Sequence, residues 1–297
     1  MLTERQNIFY DMFGFLVMKN VFSLNELATI QAEFDHRAKI ASSYEPFDGT
    51  KRHALMMMGD DTPFFASLLE DPRFADTAEK LYGEVIGFVA DANRYVGDTI
   101  WHFDTGGLRG EGYGVKFAFY LEPVRANTGA LRVIPGSHRQ PWHAALSQLK
   151  PIGPRWTRLA ATPAESKLAK DGIDDIPCHV CESDPGDVVA FDTRLFHASL
   201  GGSNDRHMCT VCYYKYPETQ EDLEVTILNA KGAISHRDNS ADPWNPPAMD
   251  ADWIANRVDN AKRQRWIEQI QALGNMPLEQ NGLTTVAENG KWKLMPV

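Results

Sequence analysis

The sequence lacks several features that would assign it to a specialised class of protein. Cysteine occurs only four times in 297 residues, and glycine (22) and proline (17) stay below the levels of low-complexity chains. The longest dense apolar stretch near the N-terminus, residues 13–18, is far shorter than the roughly 20 residues that span a bilayer. Acidic residues outnumber basic ones, 40 to 30, giving a net charge of −10. These absences argue against disorder, membrane insertion and binding to nucleic acid or anionic membrane surfaces.

The remaining composition is that of an ordinary globular protein. Hydrophobic residues make up 43% of the chain and charged residues 24%. No basic segment followed by a short apolar segment stands at the N-terminus, so we expect a cytoplasmic protein. The length allows one large core or two domains, and only the pattern of segments can decide between them.

The first third of the chain has helical periodicity. A capping box at Ser23 and Glu26 predicts a helix start. Apolar residues then recur at steps of three and four and define one helix face: Leu27, Ile30, Phe34 and Ala38. A second helix is predicted from Asp71 as its cap, Pro72 in its first turn and Gly83 at its end.

The middle of the chain has the alternating pattern of strands. Residues 115–121 alternate in the way that is typical of a half-buried strand. Further short strands are predicted, with turn residues between them, at 85–95, 131–134, 188–191 and 208–216. A capping box at 162–165 predicts the start of a short helix, and a longer helix is predicted at about 252–273. This order favours one β-rich core between helical layers.

His102 and Asp104 are the first candidates for metal binding. Residues i and i+2 of an extended segment share a face, so this imidazole and carboxylate can bind the same ion. His236 and Asp238 form a second such pair, but no histidine follows them to complete a site. After the first pair, His197 follows an apolar strand and is the best candidate for a third ligand.

Two histidines and one carboxylate on one side of a metal leave three coordination positions open. That arrangement is typical of non-haem Fe(II) oxygenases. Arg206 stands nine residues after His197, at the start of the next predicted strand. A guanidinium there can hold a carboxylate by two parallel hydrogen bonds, which indicates a carboxylate-bearing co-substrate.

The chain resembles the phytanoyl-CoA dioxygenase family of Fe(II)- and 2-oxoglutarate-dependent oxygenases. The resemblance rests on segments that run in family order and precede His197 and Arg206: Trp101–Asp104, Val115–Val124, Gly129–Arg139 and Pro185–Val188. It implies an α+β fold, mainly β, whose core is a double-stranded β-helix (a cupin-like jelly roll) flanked by N- and C-terminal helices. A single dioxygenase domain would span 1–297, with helical support at 1–84, the β-helix core at 85–217, and a turn-rich segment and helix at 218–297.

The resemblance also assigns roles within the site. His102, Asp104 and His197 would hold Fe(II), and Arg206 would bind the distal carboxylate of 2-oxoglutarate. Two further positions, Ser199 and Thr105, often help to bind that co-substrate in similar enzymes.

The activity that these roles imply is a reaction of O₂ with 2-oxoglutarate that releases succinate and CO₂ and hydroxylates, or otherwise oxidises, a C–H bond. Related halogenases carry a small residue where this chain has Asp104, so halogenation is disfavoured. The expected partner is a small organic metabolite, whose identity the sequence leaves open, as it does the oligomeric state.

The cysteines support an alternative from another class, a metal-binding protein without catalysis. They form two CxxC pairs, which resemble a structural zinc site: Cys178, Cys181, Cys209 and Cys212. Both pairs fall in predicted strands, where residues i and i+3 face opposite sides, and neither pair contains a turn residue. Buried thiols are therefore favoured over zinc and over disulfides. Two further alternatives are an inactive dioxygenase-like scaffold and an iron oxygenase that uses no keto acid.

Some residues have two interpretations. Arg206 is either the co-substrate anchor or a surface ion-pair partner of Asp205 or Asp192. His138 is predicted to stabilise a turn, and residues 56–58, a run of three methionines, either fill the core or line a substrate pocket. The glycine-rich segment 106–114 is predicted to be a lid or connector, because it lacks the lysine of a phosphate-binding loop.

Overall fold

The structure, a computed structural model, describes residues 2–104, 113–147, 176–219, 244, 260–272, 279–280, 283–288 and 291–296. Its helices are α1 (Glu4–Phe13), α2 (Leu24–Tyr44), α3 (Pro63–Ser67), α4 (Pro72–Tyr82), α5 (Trp142–Ser147) and α6 (Ala261–Ala272). Its first seven strands are β1 (Phe15–Met18), β2 (His53–Met56), β3 (Val85–Tyr95), β4 (Thr99–His102), β5 (Gly114–Tyr120), β6 (Leu131–Val133) and β7 (His179–Cys181). Then come β8 (Val188–Asp192), β9 (His197–Ser199), β10 (Arg206–Lys215), β11 (Glu279–Gln280), β12 (Leu283–Glu288) and β13 (Lys291–Pro296).

The helix boundaries follow the capping signals of the sequence. The Ser23 hydroxyl accepts a hydrogen bond from the backbone N–H of Glu26, whose carboxylate accepts one from the backbone N–H of Ser23, so the capping box at the start of α2 is confirmed. Asp71 caps α4 through the backbone N–H of Arg73, and Gly83 ends this helix at φ +77°.

The described strands form two sheets in the central part of the chain. The larger sheet has six strands in the order β1-β8-β5-β10-β3-β2, and the smaller has four in the order β4-β9-β6-β7. Neighbouring strands are antiparallel in both sheets. This arrangement confirms the expected jelly-roll core with helices beside it.

Several elements differ from the sequence-based expectation. Strands β1 and β2 come from residues 1–84, which were expected to be helical support only, and they pair with β8 and β3. Residues 218–297, expected to contain a turn-rich segment and a helix, also contain the antiparallel strands β11, β12 and β13. The C-terminal helix is described only for 261–272, and the helix predicted at 162–165 lies outside the described residues.

The two faces of the larger sheet bury different sets of residues. Apolar side chains of α2 and α4 join those of the sheet in one cluster, among them Ile30, Phe34, Phe74 and Phe117. A second cluster joins β5 and β8 to β6 and β7 of the smaller sheet, through residues such as Ala118, Leu131 and Phe191. Strand β5 is therefore buried on both faces rather than half-buried, as the alternation suggested. Its inward face lies between the two sheets, which is where the candidate site is found.

Helix α6 closes one end of the outer cluster. Trp266 is fully buried and packs against Tyr213 and against Gly87, where a Cβ would come within 3.0 Å of the indole ring. Lys262 forms ion pairs with Asp76 and Glu79 of α4. The C-terminal helix is thus attached to both the sheet and its helical layer.

Trp266→Ala is expected to lower the free energy of unfolding by about 3–5 kcal/mol, because it removes a large buried side chain and leaves a cavity beside Gly87. The matched control is Trp142→Ala: that indole is 64% exposed, and its loss should change stability by no more than about 0.5 kcal/mol. Urea unfolding measures both. A cost below about 1 kcal/mol for Trp266→Ala would show that α6 does not stabilise the core.

Candidate metal centre

Two histidines face each other across neighbouring strands of the smaller sheet. His102 ends β4 and His197 begins β9, and the antiparallel register places them directly opposite each other. Their ring centroids are 4.1 Å apart and both residues are buried. Residues directly opposite in an antiparallel pair project to the same face, so both imidazoles point toward one position between the sheets.

Asp104 completes the group just beyond the end of β4. Its backbone N–H donates to the carbonyl of Thr193 at 2.8 Å, which fixes it beside the turn that leads to β9. Its Oδ1 lies 3.8 Å from Nε2 of His102, and its Oδ2 lies 3.9 Å from Nε2 of His197. Within the described residues this trio alone forms a group of potential metal ligands, with its ligand atoms within 4.8 Å of one another.

Backbone carbonyls orient both imidazoles. Nδ1 of His102 lies 2.7 Å from the carbonyl oxygen of Ile100, and Nδ1 of His197 lies 2.9 Å from that of Leu195. A proton on each Nδ1 satisfies these contacts and makes Nε2 the nitrogen with the lone pair. Both Nε2 atoms face the Asp104 carboxylate, so the donor set of two neutral imidazoles and one carboxylate fits a divalent iron ion.

The turn before His197 is held by a buried carboxylate. Asp192 accepts two hydrogen bonds from the Arg194 guanidinium, at 2.9 and 2.7 Å, and a third from the Tyr82 hydroxyl at 2.7 Å. These contacts hold the pKa of Asp192 below its usual range, although burial alone would raise it. The network fixes the end of β8 and therefore the start of β9.

Arg206 lies at the other end of the candidate site. It begins β10 and is almost completely buried. One Nη donates to the carbonyl of Gly97 at 3.4 Å and the other to the Ser199 hydroxyl at 3.3 Å, both long hydrogen bonds. Among the described residues its Nε has no hydrogen-bond partner and no carboxylate lies within ion-pair distance. A buried guanidinium with this unsatisfied donor capacity fits a carboxylate-bearing ligand.

Two glycines make room for the Arg206 guanidinium. A Cβ at either Gly129 or Gly202 would come under 3.0 Å from Nη1 of Arg206. Gly129 also has φ +91°, in the region that favours glycine. The Tyr95 ring lies 5.0 Å from the guanidinium carbon and contributes a cation–π contact. Backbone and ring together fix the direction of the arginine side chain.

Arg206 forms neither of the two ion pairs that its surface interpretation requires. Asp205 pairs with Arg94 instead, and Asp192 pairs with Arg194. Ser199, predicted as a co-substrate contact, is buried and bonds to Arg206. Thr105, the other predicted contact, lies outside the described residues, as does most of the glycine-rich segment that follows it.

Lys116 is a site residue that the sequence analysis missed. Its Nζ lies 2.5 Å from Oδ2 of Asp104, and its side chain is 18% exposed. Burial alone would lower the pKa of Lys116, but Asp104 and other negative groups hold it above its ordinary value. The available signal was a lysine on the same face of β5 as Ala118 and Tyr120, since lysine is rarely buried without a partner.

The other residues with two interpretations take structural roles. None of the four cysteines forms a disulfide, and they are divided between the two sheets: Cys178 and Cys181 at β7, Cys209 and Cys212 in β10. They therefore do not form the four-thiolate zinc site of the alternative. The run of methionines at 56–58 is buried in the outer core cluster. Nε2 of His138 contacts the carbonyl of Asp11, which links the turn before α5 to α1.

Glu122, which lies near Arg206, makes the stability of the folded state depend on pH. Burial raises the pKa of Glu122 to about 7, although its carboxylate accepts a hydrogen bond from the backbone N–H of His207 at 2.9 Å. The folded state therefore favours the neutral form, whose contribution to stability is complete below the unfolded pKa of about 4.3 and is lost as pH rises through about 7.

Glu122→Gln is expected to flatten the decline in stability between pH 5 and pH 8, because glutamine keeps an acceptor oxygen and cannot ionise. Urea unfolding of both proteins at several pH values in this range measures the effect. Parallel stability curves for the wild type and the variant would contradict it.

The jelly-roll fold and the buried group of two histidines and a carboxylate define a protein of the non-haem iron oxygenase class. Within that class the chain belongs to the phytanoyl-CoA dioxygenase family, which it matches over residues 10–208. It is accordingly a dioxygenase, and its buried group of two histidines and one carboxylate fits iron. No helix among the described residues is long and apolar enough to cross a membrane.

Curated relatives are similar to this chain in sequence, and solved structures are similar to it in fold. The ectoine dioxygenase of Sphingopyxis alaskensis is 27% identical over 231 residues, which cover 67% of this chain and 71% of the relative. The crystal structure of HygX from Streptomyces hygroscopicus, with nickel and 2-oxoglutarate bound, superposes with a TM-score of 0.54 at 17% identity and covers 75% of this chain and 94% of that one. EctD from S. alaskensis with bound Fe gives a TM-score of 0.53 at 23% identity, covering 72% and 77%.

Proposed function

We propose that this protein hydroxylates, or otherwise oxidatively modifies, a C–H bond of a small organic metabolite. The observation that carries the proposal is the pairing of the buried trio His102, Asp104 and His197 with a buried Arg206 that has no ion-pair partner among the described residues. Fe(II) bound there supplies the oxidising chemistry in which substrate, 2-oxoglutarate and O₂ give hydroxylated substrate, succinate and CO₂.

We assign each residue of the site a separate task. His102 and His197 hold the metal through Nε2, and backbone carbonyls keep both rings in that orientation. Asp104 supplies the carboxylate ligand. Arg206 binds the distal carboxylate of 2-oxoglutarate, and Ser199, which already bonds to the guanidinium, takes part in the same subsite. Thr105 keeps its assignment from the sequence alone.

The trio is buried, and one aromatic ring lies against it. His102, Asp104 and His197 are 3–8% exposed, and the Phe191 ring lies 4.8 Å from that of His197. Trp101 and Phe103, which flank His102, face the other side of the smaller sheet, where they are buried with Phe196. A dry site strengthens the interaction of charged groups with each other and protects a reactive centre from side reactions.

A small-molecule substrate is supported by the relatives, which are named for their action on ectoine. We further propose that residues 1–297 form one dioxygenase unit, in which 1–84 and 218–297 flank the core at 85–217. The ion pairs between α6 and α4 support this arrangement. A cytoplasmic location is supported by the four cysteines, none of which forms a disulfide, as is usual in a reducing compartment.

The test is anaerobic addition of Fe(II) and 2-oxoglutarate to the purified protein. A metal-to-ligand charge-transfer band is expected in the visible spectrum, because the keto acid chelates the iron through two of its open positions. Folded protein that gives no band would refute the iron and 2-oxoglutarate assignment. With the band established, a screen of small metabolites for substrate-dependent succinate release, with product masses, identifies the substrate and the position oxidised.

A further inference from the structure

Lys116 occupies a position at which a lysine has a cost. It lies in the middle of β5, opposite Phe191 of β8 and Cys212 of β10. It shares its face of the strand with Ala118 and Tyr120, which are buried. A charged ammonium is therefore held between the sheets, where lysine is found only with a compensating partner.

That partner is a proposed metal ligand. Nζ of Lys116 bonds to Oδ2 of Asp104, while Oδ1 of the same carboxylate faces Nε2 of His102 at 3.8 Å. The bond joins the larger sheet, which contains β5, to the end of β4 in the smaller one. Lys116 thus bonds the oxygen that lies 3.9 Å from Nε2 of His197, not the oxygen that faces His102.

A role in strengthening metal binding does not explain why a lysine stands beside Asp104. A positive charge next to Asp104 repels a divalent ion and competes with it for the carboxylate. The number of coordination positions does give an explanation. The proposed reaction needs three open positions, two for 2-oxoglutarate and one for O₂, and a carboxylate that binds through both oxygens would occupy one of them.

We propose that Lys116 is a positioning residue: it engages one oxygen of Asp104 so that the carboxylate binds metal through the other alone. This inference rests on the proposed function. The site thereby gives up some affinity for metal and keeps the third position open. The two effects of Lys116 can be separated by mutation. Its bond to Oδ2 of Asp104 needs a hydrogen-bond donor, whereas its repulsion of the metal ion needs a positive charge.

Three variants distinguish the effects. Lys116→Met removes donor and charge, Lys116→Gln keeps a donor without charge, and Lys116→Arg keeps both. Lys215→Met is the matched control, because Lys215 is the last residue of β10 and pairs with Glu218 rather than with a proposed metal ligand. Co(II) titration followed by its visible spectrum measures metal affinity. The anaerobic Fe(II) charge-transfer band, titrated with 2-oxoglutarate, measures co-substrate affinity.

Lys116→Met is expected to bind Co(II) about tenfold more tightly than the wild type, because the positive charge that repels the ion is removed. It is expected to bind 2-oxoglutarate about tenfold more weakly. Lys116→Gln should share the tighter Co(II) binding but keep 2-oxoglutarate affinity within about threefold, and Lys116→Arg should resemble the wild type in both. If Lys116 were needed only for packing, its replacement by methionine would instead lower both the affinity for Co(II) and the stability in urea.

The proposal is overturned if Lys116→Met binds Co(II) with unchanged or weaker affinity, or if its 2-oxoglutarate affinity is unchanged. Should that variant fail to fold, Lys116→Gln and Lys116→Arg decide: equal Co(II) affinities for the two would refute the charge effect. Failure of the proposed function is recognised separately, because the wild type would then give no charge-transfer band, whereas the Co(II) affinities remain measurable.

Discussion

His197→Ala is expected to abolish the charge-transfer band and to reduce 2-oxoglutarate turnover by on the order of a thousandfold, equivalent to about 4 kcal/mol of activation free energy. The reason is geometric. His197 and His102 face each other from paired strands and reach the same carboxylate, so removal of one imidazole leaves two ligands and one side of the metal site open. Anaerobic spectroscopy and oxygen-dependent succinate release measure the two effects.

The matched control for this variant is His36→Ala. That imidazole is about half exposed on α2, where it lies 3.5 Å from Asp61 and away from the smaller sheet. Its replacement should leave band and turnover unchanged within about twofold. If His197→Ala retains oxygen-dependent succinate formation while His36→Ala behaves as expected, the assignment of His197 as a ligand is wrong.

Gly202→Ala is expected to raise the KM for 2-oxoglutarate by about tenfold to a hundredfold although it alters no side chain that binds the co-substrate. The added methyl group would overlap Nη1 of Arg206 and the carbonyl oxygen of Gly97. The guanidinium must then move, and its hydrogen bonds to an incoming carboxylate, worth about 1.5–3 kcal/mol each, lose their geometry. Steady-state kinetics with varied 2-oxoglutarate measures the change.

Two companion variants show whether the effect passes through Arg206. Arg206→Lys should raise the same KM to a similar extent, because an ammonium cannot form two parallel hydrogen bonds with a carboxylate. Gly83→Ala is the control for backbone effects: Gly83 has φ +77°, nothing lies within 4 Å of the added Cβ, and the residue ends α4. It should lower stability by about 1–3 kcal/mol, because alanine is strained in this conformation, and leave the KM unchanged. An unchanged KM in Gly202→Ala would show that the glycines do not fix the arginine.

Elements that depend on local signals agreed closely between sequence and structure. The capping box at Ser23 and the Asp71, Pro72 and Gly83 signals define the ends of α2 and α4 because they act within a single turn of helix. The predicted strand at 85–95 coincides with β3. Local hydrogen bonding and periodicity are contained in the sequence itself, so these predictions needed no tertiary information.

Elements that depend on distant partners were missed. Strand β1 has only four residues, and its strand conformation depends on pairing with β8, far along the chain. The same holds for β2, which pairs with β3. For Lys116, the alternation along β5 predicted which face of the strand the side chain is on, but not that a second sheet covers that face. Short strands and inward charges are decided by what packs against them.

The candidate site divides in the same way. The order of His102, Asp104, His197 and Arg206 along the chain, together with the motifs that flank them, was sufficient to indicate the chemistry, because residue type and order are given by the sequence itself. Only the tertiary structure determined that the two imidazoles face each other, that Arg206 lies in a backbone cradle and that Lys116 reaches Asp104. These facts depend on strand register and on the approach of two sheets, which arise from contacts between residues distant in sequence.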